Sequence, residues 1–302
     1  MRSSIIFLLL SCLATNSLQQ KIVLTNDDGW AVAQIRAEYD ALRAAGFQVV
    51  LSAPAENRSG TGSSTAPPTV LTQPCEFDTC PTGSPPEGAN ATDPFLNYVN
   101  SFPVDAVRFG IQTLAPRLLG SKPDFVVSGS NVGSKTNKIF LNHNYRGAAS
   151  EAVLEGVPSI AFSGASAPAV SYTTLTSSPN SSGTLAAMTY TSLTLKFIQT
   201  LIANPGPILP PGVSVNVNYA STSSCPTAPS FSFVFTRIAV NTAATDVVTC
   251  GTDHLPDESS TIRKGCFATV SVFNATTKAD VSAVTQAVVL NKIQSILTCL
   301  PN

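Results

Sequence analysis

Two short apolar runs with a helical stretch between them constrain this chain more than any other feature. Lys21-Ile22-Val23-Leu24-Thr25 and Phe47-Gln48-Val49-Val50-Leu51-Ser52 read as buried strands. Between them, Ala33 to Ala45 places Ile35, Tyr39, Leu42 and Ala45 at helical spacing, which predicts a helix with one face on a sheet. Strand, helix and strand in so short a span form a βαβ unit, so the strands run parallel with a right-handed crossover. The first strand exits into Asn26-Asp27-Asp28-Gly29. Ligands of open α/β sheets collect at the carboxyl ends of strands. Asn, Asp and Gly also form turns. The tetrapeptide alone therefore supports a polar turn and a metal-and-anion site equally well.

The alternation continues along the chain. Asp124 to Ser128 is a third strand and leaves through Gly129-Ser130-Asn131-Val132-Gly133. Gly147 to Glu155 reads as a short helix and Pro158 to Ser163 as a fourth strand. Helices are expected over Asp105 to Leu118, Leu185 to Ile202 and Val281 to Leu297. Further strands are expected over Val213–Val217, Phe231–Phe235 and Phe267–Phe273. Residues 66–95, rich in Pro, Thr and Gly, read as a surface excursion with a short strand at Val70–Leu71. The expected fold class is α/β: a mainly parallel sheet with helices on both faces.

Net charge is -1 and charged residues make up 12%, which argues against a nucleic-acid polymer as partner. Arg2, the apolar run Ile5 to Leu10 and the small residues that follow read as a secretory signal peptide, residues 1–17, ending near Ser17. The run is short for a membrane span, so the expected product is secreted, with no membrane anchor once the signal is removed. Six of the seven cysteines lie beyond the signal, an even count that suits disulfides. Cys75 with Cys80 closes a small loop, and Cys225 with Cys250 and Cys266 with Cys299 are the pairings expected for the rest. Asn90, Asn180 and Asn274 begin glycosylation sequons.

The βαβα pattern brings three polar loops to one edge of one sheet: Asn26–Gly29, Asn57–Ser64 and Gly129–Gly133. They carry two carboxylates, hydroxyls and a carboxamide. These are hard oxygen donors, the set that suits Mg²⁺ or Mn²⁺ rather than zinc.

These same loops carry a resemblance. Ile22 to Gly29, then Val50 to Pro54 with Asn57-Arg58-Ser59-Gly60, then Pro123 to Gly129 with Asn131 and Gly133 resemble the motifs of the SurE survival-protein family. Likeness is strong from Lys21 to Ser163 and thin beyond. The resemblance implies a Rossmann-like core (about 21–205) with a C-terminal extension (about 206–302), together one domain over 18–302. It implies a metal-dependent phosphatase of nucleoside monophosphates, dimeric at least. The family's metal ligands fall on Asp27, Asp28, Ser59 and Asn131, with Asp27 or Asp28 also assisting proton transfer. Asn26, Gly60 and Gly133 fall beside the phosphate. A glycan on Asn57, also in a sequon, would crowd such a site, so that sequon is expected to be unused.

One departure stands out. Where the family has Ser-Gly-Thr before the helix at Gly147, this chain has His143-Asn144-Tyr145. His143, Tyr145 and Arg146 are then candidate phosphate contacts, and His143 a candidate general acid. A surface-loop histidine and an exposed arginine are the competing readings. The loss of Ser-Gly-Thr also keeps a second class open, a non-catalytic secreted protein that binds metal and nucleotide. A secreted ester hydrolase is a third, weakened by the lack of a Gly-x-Ser-x-Gly elbow between a strand and a helix.

Overall fold

The computed structural model describes residues 19–132, 146–165 and 167–301. The expected signal peptide, Gly133, His143 and Tyr145 lie outside the described residues. The first half contains β1 (Lys21–Thr25), α1 (Ala33–Ala44), β2 (Gln48–Pro54), β3 (Glu87–Ala89), β4 (Leu96–Val99), α2 (Pro103–Phe109), α3 (Ala115–Leu119), β5 (Phe125–Val132) and α4 (Gly147–Leu154). There follow β6 (Ser159–Gly164), α5 (Thr174–Ser177), α6 (Ser182–Ile202), β7 (Val213–Tyr219), β8 (Ser232–Thr236), α7 (Glu258–Ile262), β9 (Phe267–Asn274) and α8 (Ala283–Ile293).

Among the described residues nine strands form one sheet, ordered β3-β4-β2-β1-β5-β6-β7-β9-β8. The run from β4 to β7 is parallel. The antiparallel pairs are β3 with β4 and β7 with β9. This is the α/β, mainly parallel class that the βαβ pattern predicts. Parallel strands are covered on both faces, so their residues are buried on both sides of the sheet. Ile22 and Leu24 pack with Ile35, Tyr39, Tyr190 and Phe197 on the α1 and α6 face. Val23 between them packs with Val107, Ile111, Leu114 and Ala152 on the opposite face. Each such side chain, fully withdrawn from water, contributes about 1.5–3 kcal/mol.

Several boundaries move, for local reasons. The helix expected from Asp105 begins at Pro103, where Pro occupies the first turn, and Asp105 accepts from Phe102 N at 3.4 Å. It is interrupted by a π-helical turn, Gly110–Leu114. A β-carbon on Gly110 would stand 2.7 Å from Val23 Cγ1, so the glycine lets this helix approach β1 closely. The terminal helix ends at Ile293, short of the expected Leu297. Val70–Leu71 is not a strand. Leu71 is buried, and its N–H donates to Ser84 O at 3.0 Å within the loop. The sheet is extended on this side by β4, whose Leu96 to Val99 pair with Leu51 to Pro54.

The disulfides correct the expected pairing. Cys75–Cys80 closes as expected, but the others are Cys225–Cys266 and Cys250–Cys299. The cause is strand order. Cys225 precedes β8 and Cys266 precedes β9, and these strands pair in parallel with Ser232 opposite Phe267, so their entrances lie side by side. Cys299 is carried to the same strand when Thr298 N donates to Phe233 O at 2.8 Å. Non-reducing peptide mapping is expected to recover the 225–266 and 250–299 cross-links. Replacing Cys225 and Cys266 with Ala should cost about 3–4 kcal/mol in chemical denaturation, as expected for a bridge that closes a loop of tens of residues.

Candidate metal and phosphate site

The sheet order places β2 and β5 on either side of β1, so the three polar exits converge. The first is closed by Asn26. Its Nδ2 donates to Gly29 O at 2.9 Å, and its Oδ1 accepts from Gly29 N at 3.1 Å. Asn26 thus spends both ends of its amide on the turn that presents Asp27 and Asp28. Gly29 adopts φ 116°, a conformation that favours glycine.

The loop after β2 is stitched to this turn. Arg58 N donates to Asp27 O at 2.7 Å, and Ser59 N donates to Asn57 Oδ1 at 2.8 Å. The Asn57 side chain therefore aims Ser59, whose Oγ donates to Asp28 Oδ1 at 2.9 Å. The loop after β5 supplies the rest. Val132 N donates to Asp28 Oδ2 at 2.6 Å, and Asn131 Oδ1 accepts from Asp27 N at 3.3 Å. Asp27, Asp28, Ser59 and Asn131, distant in sequence, are brought together. Gly60, at φ 84°, turns the second loop outward beside them.

A bulge in β5 makes this possible. Ser128 pairs with Ala161 but Asn131 pairs with Ser163, so β5 carries one extra residue there. Such bulges re-aim side chains beside functional sites. Gly129 sits in the bulge at φ 124°, and a β-carbon on it would collide with Phe162 O. Behind the bulge, Glu38 of α1 accepts from Ser130 N at 2.8 Å. Ser130 Oγ continues to Thr194 Oγ1 at 3.1 Å, and Thr194 to Tyr219 OH at 2.9 Å. Glu38 therefore fixes the backbone one residue from Asn131.

Asp27 and Asp28 are both buried. Burial, and for Asp27 the charge of Asp28, raises the Asp27 carboxyl well above its ordinary value. Burial likewise raises Asp28 to about 6, against the lowering pull of Val132 N and the Ser59 hydroxyl. Asp27 Oδ1 and Asn131 Nδ2 are buried without a hydrogen-bond partner among the described residues. An acceptor left empty beside a second carboxylate is what a bound cation would satisfy. The donor set fits a hard divalent ion.

A third carboxylate was not foreseen. Glu76, inside the Cys75–Cys80 loop, packs against Gly29, where any β-carbon would strike its Oε2. Burial, then the charges of Asp28 and Glu56, push Glu76 up to about 8. The short cysteine spacing was the available signal, since a closed loop fixes what lies inside it. Asp105, the expected first residue of its helix, accepts from Ser101 Oγ at 2.7 Å and Ala66 N at 3.0 Å, and ties down the far end of the second loop. Arg146 is not a surface cation. It is 1% exposed, its guanidinium lies 5.1 Å from the Phe273 ring centroid, and its Nη1 donates to Lys278 O at 3.4 Å. His254, the other histidine, is exposed and accompanies Asp253 at 3.6 Å in the C-terminal region.

Residues 22–245 match the family model described as Survival protein SurE. An acid phosphatase of Yarrowia lipolytica is 32% identical over 304 residues, covering 90% of this chain and 84% of that protein. Proteins named 5'-nucleotidase SurE from Geobacter metallireducens and Desulfovibrio desulfuricans are 36% and 37% identical over 143 and 144 residues. Each of these covers 47% of this chain, and the match spans about half of each bacterial protein, 48% and 49%. The crystal structure of the SurE protein from Aquifex aeolicus superposes with a TM-score of 0.54 at 20% identity, over 84% of this chain and 93% of that one, a likeness of fold.

Two measurements follow from the buried carboxyls. A cation must displace the protons that burial favours on Asp27 and Asp28. Mn²⁺ should therefore raise the melting temperature more at pH 7.5 than at pH 5, read by scanning calorimetry. Burial also raises Glu38, to about 8. A carboxyl raised on folding contributes stability below its unfolded value that is lost as pH climbs through the folded one. Glu38→Gln keeps an acceptor for Ser130 N but cannot ionise. Urea unfolding of the metal-free proteins should show the variant gaining on wild type between pH 5 and pH 9, by on the order of 3 kcal/mol.

Proposed function

Because this chain belongs to the SurE survival-protein family, we propose that it is a divalent-metal-dependent phosphomonoesterase that hydrolyses nucleoside monophosphates. The observation that carries the proposal is the unpartnered Asp27 Oδ1, buried beside an Asp28 clasped from two other loops. The names of the relatives, acid phosphatase and 5'-nucleotidase, support the reaction class. Asp27, Asp28, Ser59 and Asn131 would hold the ion, Mg²⁺ or Mn²⁺ by their chemistry. Bound there, it supplies charge neutralisation at phosphoryl oxygens and activation of water.

The protein's own groups do the remaining work. Asp28, fixed through both oxygens, is an orienting residue. Asp27, with one free oxygen and a raised affinity for protons, is suited to take a proton from attacking water. Asn131 Nδ2, a buried donor without a partner, is suited to a phosphate oxygen. Backbone amides near Gly60 and Gly133 and side chains of His143 and Tyr145 remain proposed phosphate contacts.

Export is proposed on two grounds. The N-terminal sequence has the pattern of a signal peptide, and the six remaining cysteines form three disulfides. No helix among the described residues is long and apolar enough to cross a membrane. A homodimer is proposed by family likeness.

Phosphate release from a panel of nucleoside monophosphates, with Mn²⁺ or Mg²⁺ and with chelator, tests the reading. Wild type should be active only with metal, and Asp28→Asn should lower kcat/KM by at least about 100-fold. Metal and nucleotide binding without any turnover would replace catalysis with the binding-protein reading.

A further inference from the structure

The strand next to β2 brings a second polar surface to the edge that carries the acidic cup. β4 runs parallel to β2, with Val99 opposite Pro54, and β2 runs parallel to β1. All three therefore leave the sheet at the edge where Asp27 and Asp28 stand. Ala55 N donates to Val99 O at 2.9 Å and holds the exits of β2 and β4 side by side. The loop after β2 departs through Glu56 and Arg58 and comes back to the exit of β4 at Ala66. There Ser101 Oγ donates to Ala66 O at 2.7 Å, and Asp105 accepts from Ala66 N at 3.0 Å. Beside these exits lies a cavity of about 350 Å³, whose lining includes Glu56, Arg58, Thr69, Gln73, Asn100 and Phe102.

The cavity shares a wall with the carboxylate site. Arg58 N donates to Asp27 O at 2.7 Å, while the residue itself lines the cavity. Ser59 follows it in the chain and donates to Asp28 Oδ1. The Glu56 carbonyl carbon lies 3.4 Å from the place a β-carbon on Gly29 would take. The segment Glu56–Arg58 thus rests directly on the turn that presents both aspartates. A nucleoside monophosphate needs this arrangement, because its base stands one sugar away from its phosphate.

The lining has groups to spare for a ligand. Phe102 is half-buried, yet it joins none of the hydrophobic clusters formed by the described residues. A ring of this size is ordinarily spent on a core or an interface. Its backbone is fixed, since Phe102 O accepts from Ala106 N at 3.0 Å in the first turn of α2 and Phe102 N donates to Asp105. Asn100 Nδ2 donates to Thr69 O at 2.8 Å, which orients the amide and leaves Oδ1 without a donor among the described residues. Gln73 is exposed, and its amide has no hydrogen-bond partner among them. Glu56, paired with Arg58 at 3.5 Å, is an acceptor of the kind that binds ribose hydroxyls. A flat face, a polar edge and a hydroxylated sugar are what these groups would recognise, and the volume is that of a small-ligand pocket.

We propose that this cavity is the nucleoside subsite, in which the Phe102 ring stacks on the base and Asn100 Oδ1 and the Gln73 amide meet the base edge. The inference rests on the phosphatase reading and makes it more specific: Phe102 selects nucleotides over phosphomonoesters that lack a base. Stacking of a base on an aromatic side chain changes affinity by roughly ten-fold or more.

The test compares wild type with Phe102→Leu and Phe102→Tyr, all loaded with Mn²⁺. Leu keeps apolar bulk without an aromatic face, and Tyr keeps the face. Steady-state kinetics are measured with adenosine 5′-monophosphate and with ribose 5-phosphate, and adenosine binding by titration calorimetry. In Phe102→Leu the ratio of kcat/KM for the nucleotide to that for the sugar phosphate should fall by about ten-fold, through KM. Adenosine affinity should fall by about the same factor, and Phe102→Tyr should recover most of both. Melting temperatures within a few degrees of wild type, expected for a ring outside the core, separate lost stacking from lost folding. Nucleotide turnover with an unchanged ratio in Phe102→Leu overturns the inference and leaves the phosphatase reading intact. Adenosine binding that depends on the ring, with no phosphate released from either compound, sustains the inference and removes the phosphatase reading. A wild type that neither binds adenosine nor prefers the nucleotide overturns the inference.

Discussion

Two adjacent carboxylates buried at the end of a central strand are the constraint around which this fold is arranged. Removing one carboxylate from water is costly, and placing a second beside it adds repulsion. Asp28 is tolerable because a hydroxyl from the loop after β2 and an amide from the loop after β5 both donate to it. Those donors reach it only because β2 and β5 flank β1 in register. The parallel core is therefore what makes the site electrostatically feasible. Asp27, by contrast, keeps one oxygen without a donor. The imbalance leaves an open acceptor on Asp27 beside a carboxylate whose two oxygens are both held.

What was legible in the sequence was what local pattern controls. Short apolar runs placed β1 and β2, a period-3.6 pattern placed α1 between them, and parallel topology then required three polar exits at one edge. Asp27, Asp28, Ser59 and Asn131 could be named because each lies immediately beyond a strand that reads clearly. What escaped depends on distant partners. β4 is four residues long, carries Asn97, and is stabilised by pairing with β2 rather than by its own pattern. Glu38 reads as a helix-surface residue, yet it is turned inward by Ser130 and is 1% exposed. The disulfides were misassigned because proximity in sequence is no guide where parallel strands bring two entrances together.

The β5 bulge shows why such sites require exceptions to regular structure. A strand in perfect register would direct residues 128 and 130 to one face and 131 to the other, with no freedom to adjust the angle of Asn131. One extra residue reorients the exit, and Gly129 permits it by leaving space for Phe162 O. The freed backbone then needs an acceptor, and Glu38 provides one to Ser130 N. Glu38 thus holds the site from within the core, although no ligand would touch it.

The C-terminal strands are not an appendage to this arrangement. β9 lies beyond residue 245, where the family match ends, yet it pairs between β7 and β8 inside the sheet. Its pairing with β7 runs from Val213–Asn274 to Tyr219–Ala268, so the chain leaves β9 opposite the start of β7. There the turn carrying Lys278 meets the loop of Ser59 and the start of α4. The burial of Arg146 against Glu258 and Phe273 fastens the amino end of α4 to these strands, so the C-terminal region and the first half of the chain pack as one structure.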